Sequence, residues 1–169
     1  MTKLIASMLA VVLLGAACTT SKEGTAVASP QPPQDVWQLA DRLVALVPLS
    51  ADKLADLLGT AFTPDPRNPL RLDGAAVQLS PSLQITSSVL AVVDGTWSFA
   101  SVDVAPTPCV TEDVLKQHYP AAEITSYPSG HSPMEEFLWS TSYDWGRLSF
   151  GIREQDRCVA GVSLERAKP

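Results

Sequence analysis

The chain opens with a segment that cannot belong to the fold that follows it. Residues 4–14 are apolar apart from Ser7, behind a short positive start, Met1-Thr2-Lys3. A membrane-spanning helix needs about 20 apolar residues, so this run is too short to span. It passes into small residues, Gly15-Ala16-Ala17, and then a single cysteine, Cys18. This is the build of a secretory leader, removed from the mature protein. Cutting the first 17 of 169 residues leaves 152. That length suits one domain plus a tether and is enough to bury a real core.

The stretch Leu13-Leu14-Gly15-Ala16-Ala17-Cys18 resembles the lipobox of bacterial lipoproteins. It departs from the family at Gly15, where Leu or a similar aliphatic is preferred. The resemblance implies a cut just before Cys18, a diacylglyceryl thioether on its sulfur and an amide-linked acyl chain such as palmitate. Two chains on one residue anchor stably, where one alone binds only marginally. The alternative is an ordinary leader cut near Ala17, leaving Cys18 as a free thiol. The lipobox resemblance implies the bacterial cell envelope. In a Gram-negative source, Thr19 rather than Asp after the cysteine resembles the signal for the periplasmic side of the outer membrane.

Charge excludes some partners. Lys3 leaves with the leader, so 12 basic residues become 11 against 18 acidic ones, a formal −7. A chain this acidic, without a basic stripe, is a poor nucleic-acid binder. It would not adhere to anionic lipid by charge, so membrane attachment falls to the lipid on Cys18. Cys109 and Cys158 remain, and in an oxidising compartment one disulfide between them is the economical expectation. There is no C-x-x-C, and His118 and His131 lack ligand spacing, so no metal is expected. No Gly-rich phosphate loop or other cofactor motif is present.

Residues 18–34 read as a lipidated tether. They are rich in Thr, Ser, Gly and Ala and end in Ser29-Pro30-Gln31-Pro32-Pro33-Gln34, with too little apolar surface to fold on their own. Residues 35–169 read as one globular domain. Apolar positions 36, 39/40, 43 and 47 recur at helical spacing behind Asp35, and Pro48 ends that helix. Ser50 caps a second helix up to Leu58, with Gly59 as its C-cap. The Pro- and Asp-rich residues 62–72 read as a loop. Strands are expected over 83–93 and 96–104 around an Asp94-Gly95 turn, then over 136–145, 147–152 and 158–164. A short helix is expected behind Thr111, ending before Pro120.

These elements predict an α+β fold: an antiparallel sheet of about four to five strands with helices on one face. Ser50-Ala51-Asp52-Lys53-Leu54 lines up with Thr111-Glu112-Asp113-Val114-Leu115, which suggests two helix-loop-hairpin repeats; chance similarity is the alternative. The layout over residues 50–165 looks like the tandem-repeat fold of β-lactamase-inhibitor proteins and small outer-membrane assembly lipoproteins. No signature residue of those families can be matched, so the likeness transfers no site.

The best candidate for partner binding is the aromatic row Phe137, Trp139, Tyr143 and Trp145. Such residues dominate interface hot spots. The same alternation also marks a strand face buried on the core, with Trp145, beside Gly146, the exception. His131, among Ser129, Gly130 and Ser132, could serve as a catalytic base with Asp144 or a serine. There is no G-x-S-x-G elbow to support a serine hydrolase. Glu135 and Glu136 are adjacent on an expected strand, so they point to opposite faces and cannot act as a pair. The sequence therefore predicts a non-catalytic, lipid-anchored binding module, either an inhibitor or immunity-type protein or an accessory subunit of an envelope complex. The rival classes are an envelope hydrolase using His131 and a structural envelope lipoprotein.

Overall fold

The computed structural model describes residues 31–132 and 135–168, and residues from Gln31 onward form one compact unit. Residues 1–30, on which the expected leader, the lipidation at Cys18 and most of the expected tether fall, lie outside the described residues. The described part begins with α1 (Val36–Ala45) and α2 (Ala51–Leu58). Both start as their sequences require. Asp35 accepts a hydrogen bond from the Gln38 N–H, and Ser50 accepts one from that of Lys53. Each satisfies a donor the first helical turn would leave orphaned. Gly59 ends α2 at φ 67°, a left-handed conformation glycine adopts without strain.

The described residues then form nine strands and one more helix, α3 (Glu112–His118). The strands are β1 (Phe62–Asp65), β2 (Asn68–Gly74), β3 (Val77–Ser80), β4 (Leu83–Val93), β5 (Thr96–Val104), β6 (Glu123–Ser126), β7 (Glu136–Tyr143), β8 (Gly146–Arg153) and β9 (Val159–Arg166). They make one antiparallel sheet in the order β1-β2-β4-β5-β9-β8-β7-β6, with β3 pairing the start of β4. This corrects the α+β expectation. The described residues are mostly β, with nine strands rather than four or five and three short helices beside them.

The discrepancy lies in four short strands, β1, β2, β3 and β6. β1 and most of β2 fall in the Pro- and Asp-rich residues 62–72 that read as a loop, and β3 and β6, four residues each, are too short for a pattern to stand out. β1 and β6 are the outer strands of the sheet. A short edge strand with Pro64 in β1 resists further pairing, which is how natural sheets blunt their edges. The proposed equivalence of Ser50 and Thr111 also breaks down at the caps. Thr111 makes no side-chain capping bond and instead bridges Cys158.

One face of the sheet carries the core. Cross-strand partners Leu90↔Ala100, Ala100↔Leu164, Leu164↔Leu148, Val162↔Phe150 and Phe150↔Trp139 run across it, and all are buried. Trp37 of α1 and Tyr119 after α3 both pack on Phe150, with ring centroids 5.8 and 4.8 Å away. Leu54 and Leu58 of α2 join the same cluster. The other face is polar and small. Its cross-strand rows are Ser140, Ser149, Ser163 and Ser101, and beside them Gly151, Gly161 and Asp103.

Candidate functional site

The aromatic row divides. Phe137 and Trp139 pair across the ladder with Ile152 and Phe150, which places both rings on the core face. Trp139 is 8% exposed, with Lys116 Nζ of α3 4.7 Å above its ring. Phe137 is half-buried under the Arg157 guanidinium, 4.4 Å away, with Tyr127 at its edge. Tyr143 and Trp145 are different. They flank Asp144 where β7 turns into β8, and their rings stack at 5.1 Å with 13° between planes. Trp145 also leans on buried Trp97 of β5 at 5.9 Å, so it is half-buried between the two. Tyr143 is the outermost ring, 36% exposed.

The turn is tight for a stated reason. A Cβ on Gly146 would overlap the Glu165 carbonyl oxygen, and φ is 147°, so only glycine lets β8 start there. The Ala167 N–H then donates to the Trp145 carbonyl at 2.9 Å and closes the corner. Alongside sits a pair that sequence reasoning missed. The Tyr119 hydroxyl donates to Asp41 of α1 at 2.7 Å. Burial first, then this bond, pushes the Tyr119 hydroxyl far above its ordinary pKa. Burial, followed by the charge of Asp41, also raises Tyr143. Asp41 of α1 and Tyr119, just after α3, meet through this bond. The two are 78 positions apart, and nothing in either local pattern joins them.

His131 lies elsewhere. Its Nδ1 is 2.7 Å from Ser129 Oγ, and Ser129 Oγ is 2.9 Å from Glu135 Oε1. Glu135 also accepts from the backbone N–H groups of Ser129, Gly130 and His131. The Ser129 hydroxyl, and then these backbone donors, hold the Glu135 carboxyl below its ordinary pKa. A hydroxyl has one proton. Donated to Glu135, it leaves His131 as a donor to Oγ rather than a base acting on it. The carboxylate ties a loop and does not orient the imidazole, so this is not the order of a catalytic triad. Asp144 cannot assist His131 either. The eight residues of β7 separate them, about 25 Å at strand rise. His118, in the last turn of α3, stacks on Trp37 at 4.4 Å.

Glu136 occupies the polar face. Its carboxylate sits against Gly151, where a Cβ would overlap Oε2, and Asp103 Oδ1 lies 3.2 Å from the Cβ position of Gly161. Gly151 and Gly161 are cross-strand partners, so both acids lean over one glycine floor. Burial, then Asp103, raises the Glu136 pKa, against the pull of Arg153, which is itself paired with Asp156. A raised folded pKa means stability is complete below the ordinary carboxyl value and lost as pH rises through the folded one. Glu136→Gln is therefore expected to raise the thermal midpoint at pH 7, with the gain closing below pH 4.5, the ordinary value. Melts across pH check this; an unchanged midpoint at pH 7 would refute it.

Cys109 and Cys158 are joined as a disulfide, Cα–Cα 5.2 Å apart. A cleft of about 70 Å³ beside it, lined by Asp35, Val36, Leu83, Val104, Pro108 and Val159, is far below the roughly 300 Å³ of small-molecule sites. Among the described residues no group of three or more His, Cys, Asp or Glu could hold a metal ion. No helix among them is long and apolar enough to cross a membrane. No protein-family model, no curated protein and no solved structure matches the chain.

Proposed function

We propose that this protein is a non-catalytic binding module, anchored in the bacterial envelope through a lipid on Cys18, that holds another protein at the corner formed by Tyr143 and Trp145. One observation carries this reading: two stacked aromatic rings at a hairpin turn, the outer one exposed, braced from beneath by buried Trp97. A braced aromatic pair offers a large contact area with little side-chain freedom left to lose. An inhibitor, an immunity-type protein or an accessory subunit of an envelope complex would each use such a corner. The hydrolase alternative is weaker, because Ser129, His131 and Glu135 are ordered as a loop tie.

Binding to a partner recovered from the native envelope tests this. Tyr143→Ala is expected to weaken it by about 2 kcal/mol, roughly thirtyfold in affinity. His131→Ala is expected to leave it intact. Equal binding by Tyr143→Ala and wild type would move the contact elsewhere. Loss with His131→Ala alone, together with a lost hydrolytic activity, would favour the enzyme.

A further inference from the structure

The two cysteines of the disulfide sit in unlike surroundings. Cys109 is exposed, at the end of the exposed stretch Pro106-Thr107-Pro108 that leads from β5 toward α3. Cys158 is 4% exposed, immediately before β9. A thiolate attacks one sulfur of a disulfide and expels the other, and access decides which. An outside thiolate therefore meets Cys109 Sγ, and Cys158 Sγ is the sulfur expelled.

The chain on either side of the bond is held together without it. The Val159 N–H donates to the Val110 carbonyl at 2.8 Å, so the residues next to the two cysteines are paired. Thr111 bridges Cys158 itself, and Arg157 pairs with Glu112 at the start of α3. Behind Cys158, its carbonyl accepts from the Arg153 N–H at 3.0 Å, and its N–H donates to the Asp156 carboxylate at 3.1 Å. Breaking the S–S bond removes none of these contacts. The Cα atoms, 5.2 Å apart, stay facing each other, and so do the sulfurs. The Asp156 carbonyl oxygen, 3.4 Å from Cys158 Sγ, is placed to accept the thiol hydrogen that Cys158 gains on reduction.

We infer that the Cys109–Cys158 bond is a thiol-exchange site entered at Cys109, with Cys158 as the sulfur that leaves and then recloses it, and that its exchange partner is a protein with a pair of cysteines. The incoming thiolate bonds to Cys109 Sγ as the Cys109–Cys158 bond breaks. The electron pair of that bond goes to Cys158 Sγ, which takes up a proton from water. A monothiol stops at this mixed disulfide. Cys158, still held opposite, gives up its proton, attacks Cys109 Sγ and expels the monothiol, because a positioned nucleophile acts at an effective concentration no free thiol reaches. A dithiol competes with that return. Its second thiolate attacks its own sulfur in the mixed disulfide, and Cys109 leaves and is protonated. Both cysteines are then thiols, and the dithiol has become a disulfide. Run in reverse, the same class of partner installs the bond. The site is separate from the Tyr143–Trp145 corner and does not depend on it.

The folded wild-type chain in excess glutathione tests this. The reaction is quenched with acid, the chain is unfolded, free thiols are alkylated and the peptides are analysed by mass spectrometry. Glutathione on Cys109 with the alkyl group on Cys158 is expected to exceed the reverse arrangement by on the order of tenfold. Equal amounts on the two cysteines, or more on Cys158, overturn the inference. So does the lack of an adduct in the folded chain where the chain unfolded in urea forms one. Once free glutathione is removed, the wild-type adduct is expected to return to the disulfide, while Cys158→Ser keeps its glutathione on Cys109. A wild-type adduct that lasts as long as the variant's overturns reclosure by Cys158. Dithiothreitol stands in for the paired cysteines. It is expected to take the folded wild type to free thiols at a thiol concentration where glutathione leaves most of it closed. Equal opening by both reagents overturns the paired-cysteine partner.

Discussion

Trp139→Ala should unfold this domain at temperatures the wild type tolerates, with a loss of about 3–5 kcal/mol, the usual cost of deleting a large buried aromatic. Trp139 is the middle of a three-strand contact, with Ile124 of β6 on one side and Phe150 of β8 on the other. Removing it leaves a cavity under α3, and Lys116 loses the ring beneath its ammonium. Tyr143→Ala, four residues along the same strand, should cost less than about 1 kcal/mol, as surface changes usually do. Denaturant unfolding of the two variants side by side measures the contrast. A normal midpoint for Trp139→Ala combined with lost partner binding would move Trp139 from the core to the interface.

Replacing both Cys109 and Cys158 with Ser should cost about 4 kcal/mol, from the loop entropy the bond removes in the unfolded chain. The two cysteines are 49 positions apart. Between them lie α3, β6, β7 and β8, so the bond closes most of the second half of the domain on itself. It fastens the loop before α3 to the start of β9, where the Val159 N–H also donates to the Val110 carbonyl at 2.8 Å. For a domain of this size the thermal midpoint should fall by roughly 8–16 °C. The same fall should follow reduction of the wild type, and the double variant should not respond to reductant. A loss under about 1 kcal/mol would mean that backbone pairing already holds this junction closed.

Local chemistry was legible in the sequence. α1 and α2 stand behind Asp35 and Ser50 because a side-chain oxygen there meets an orphan N–H within three residues. β4 and β5 run Leu83–Val93 and Thr96–Val104 around Asp94-Gly95, as their apolar runs and turn residues require. The disulfide followed from the expectation of an oxidising compartment, which left Cys109 and Cys158 to pair with each other. Tertiary structure alone decided the remainder. β1, β2, β3 and β6 are short or carry Pro, so little in their own sequence marks a strand, and each pairs with a longer neighbour. One strand face held both Trp139 and Tyr143 in the sequence. Which ring is buried depends on whether a helix covers that part of the strand, and α3 reaches Trp139 and leaves Tyr143 open. Asp41 beside Tyr119, and Glu136 and Asp103 over two paired glycines, are meetings of distant segments across the sheet. Alternation and capping act over two to four residues, and contacts between strands far apart in the chain leave no trace at that range.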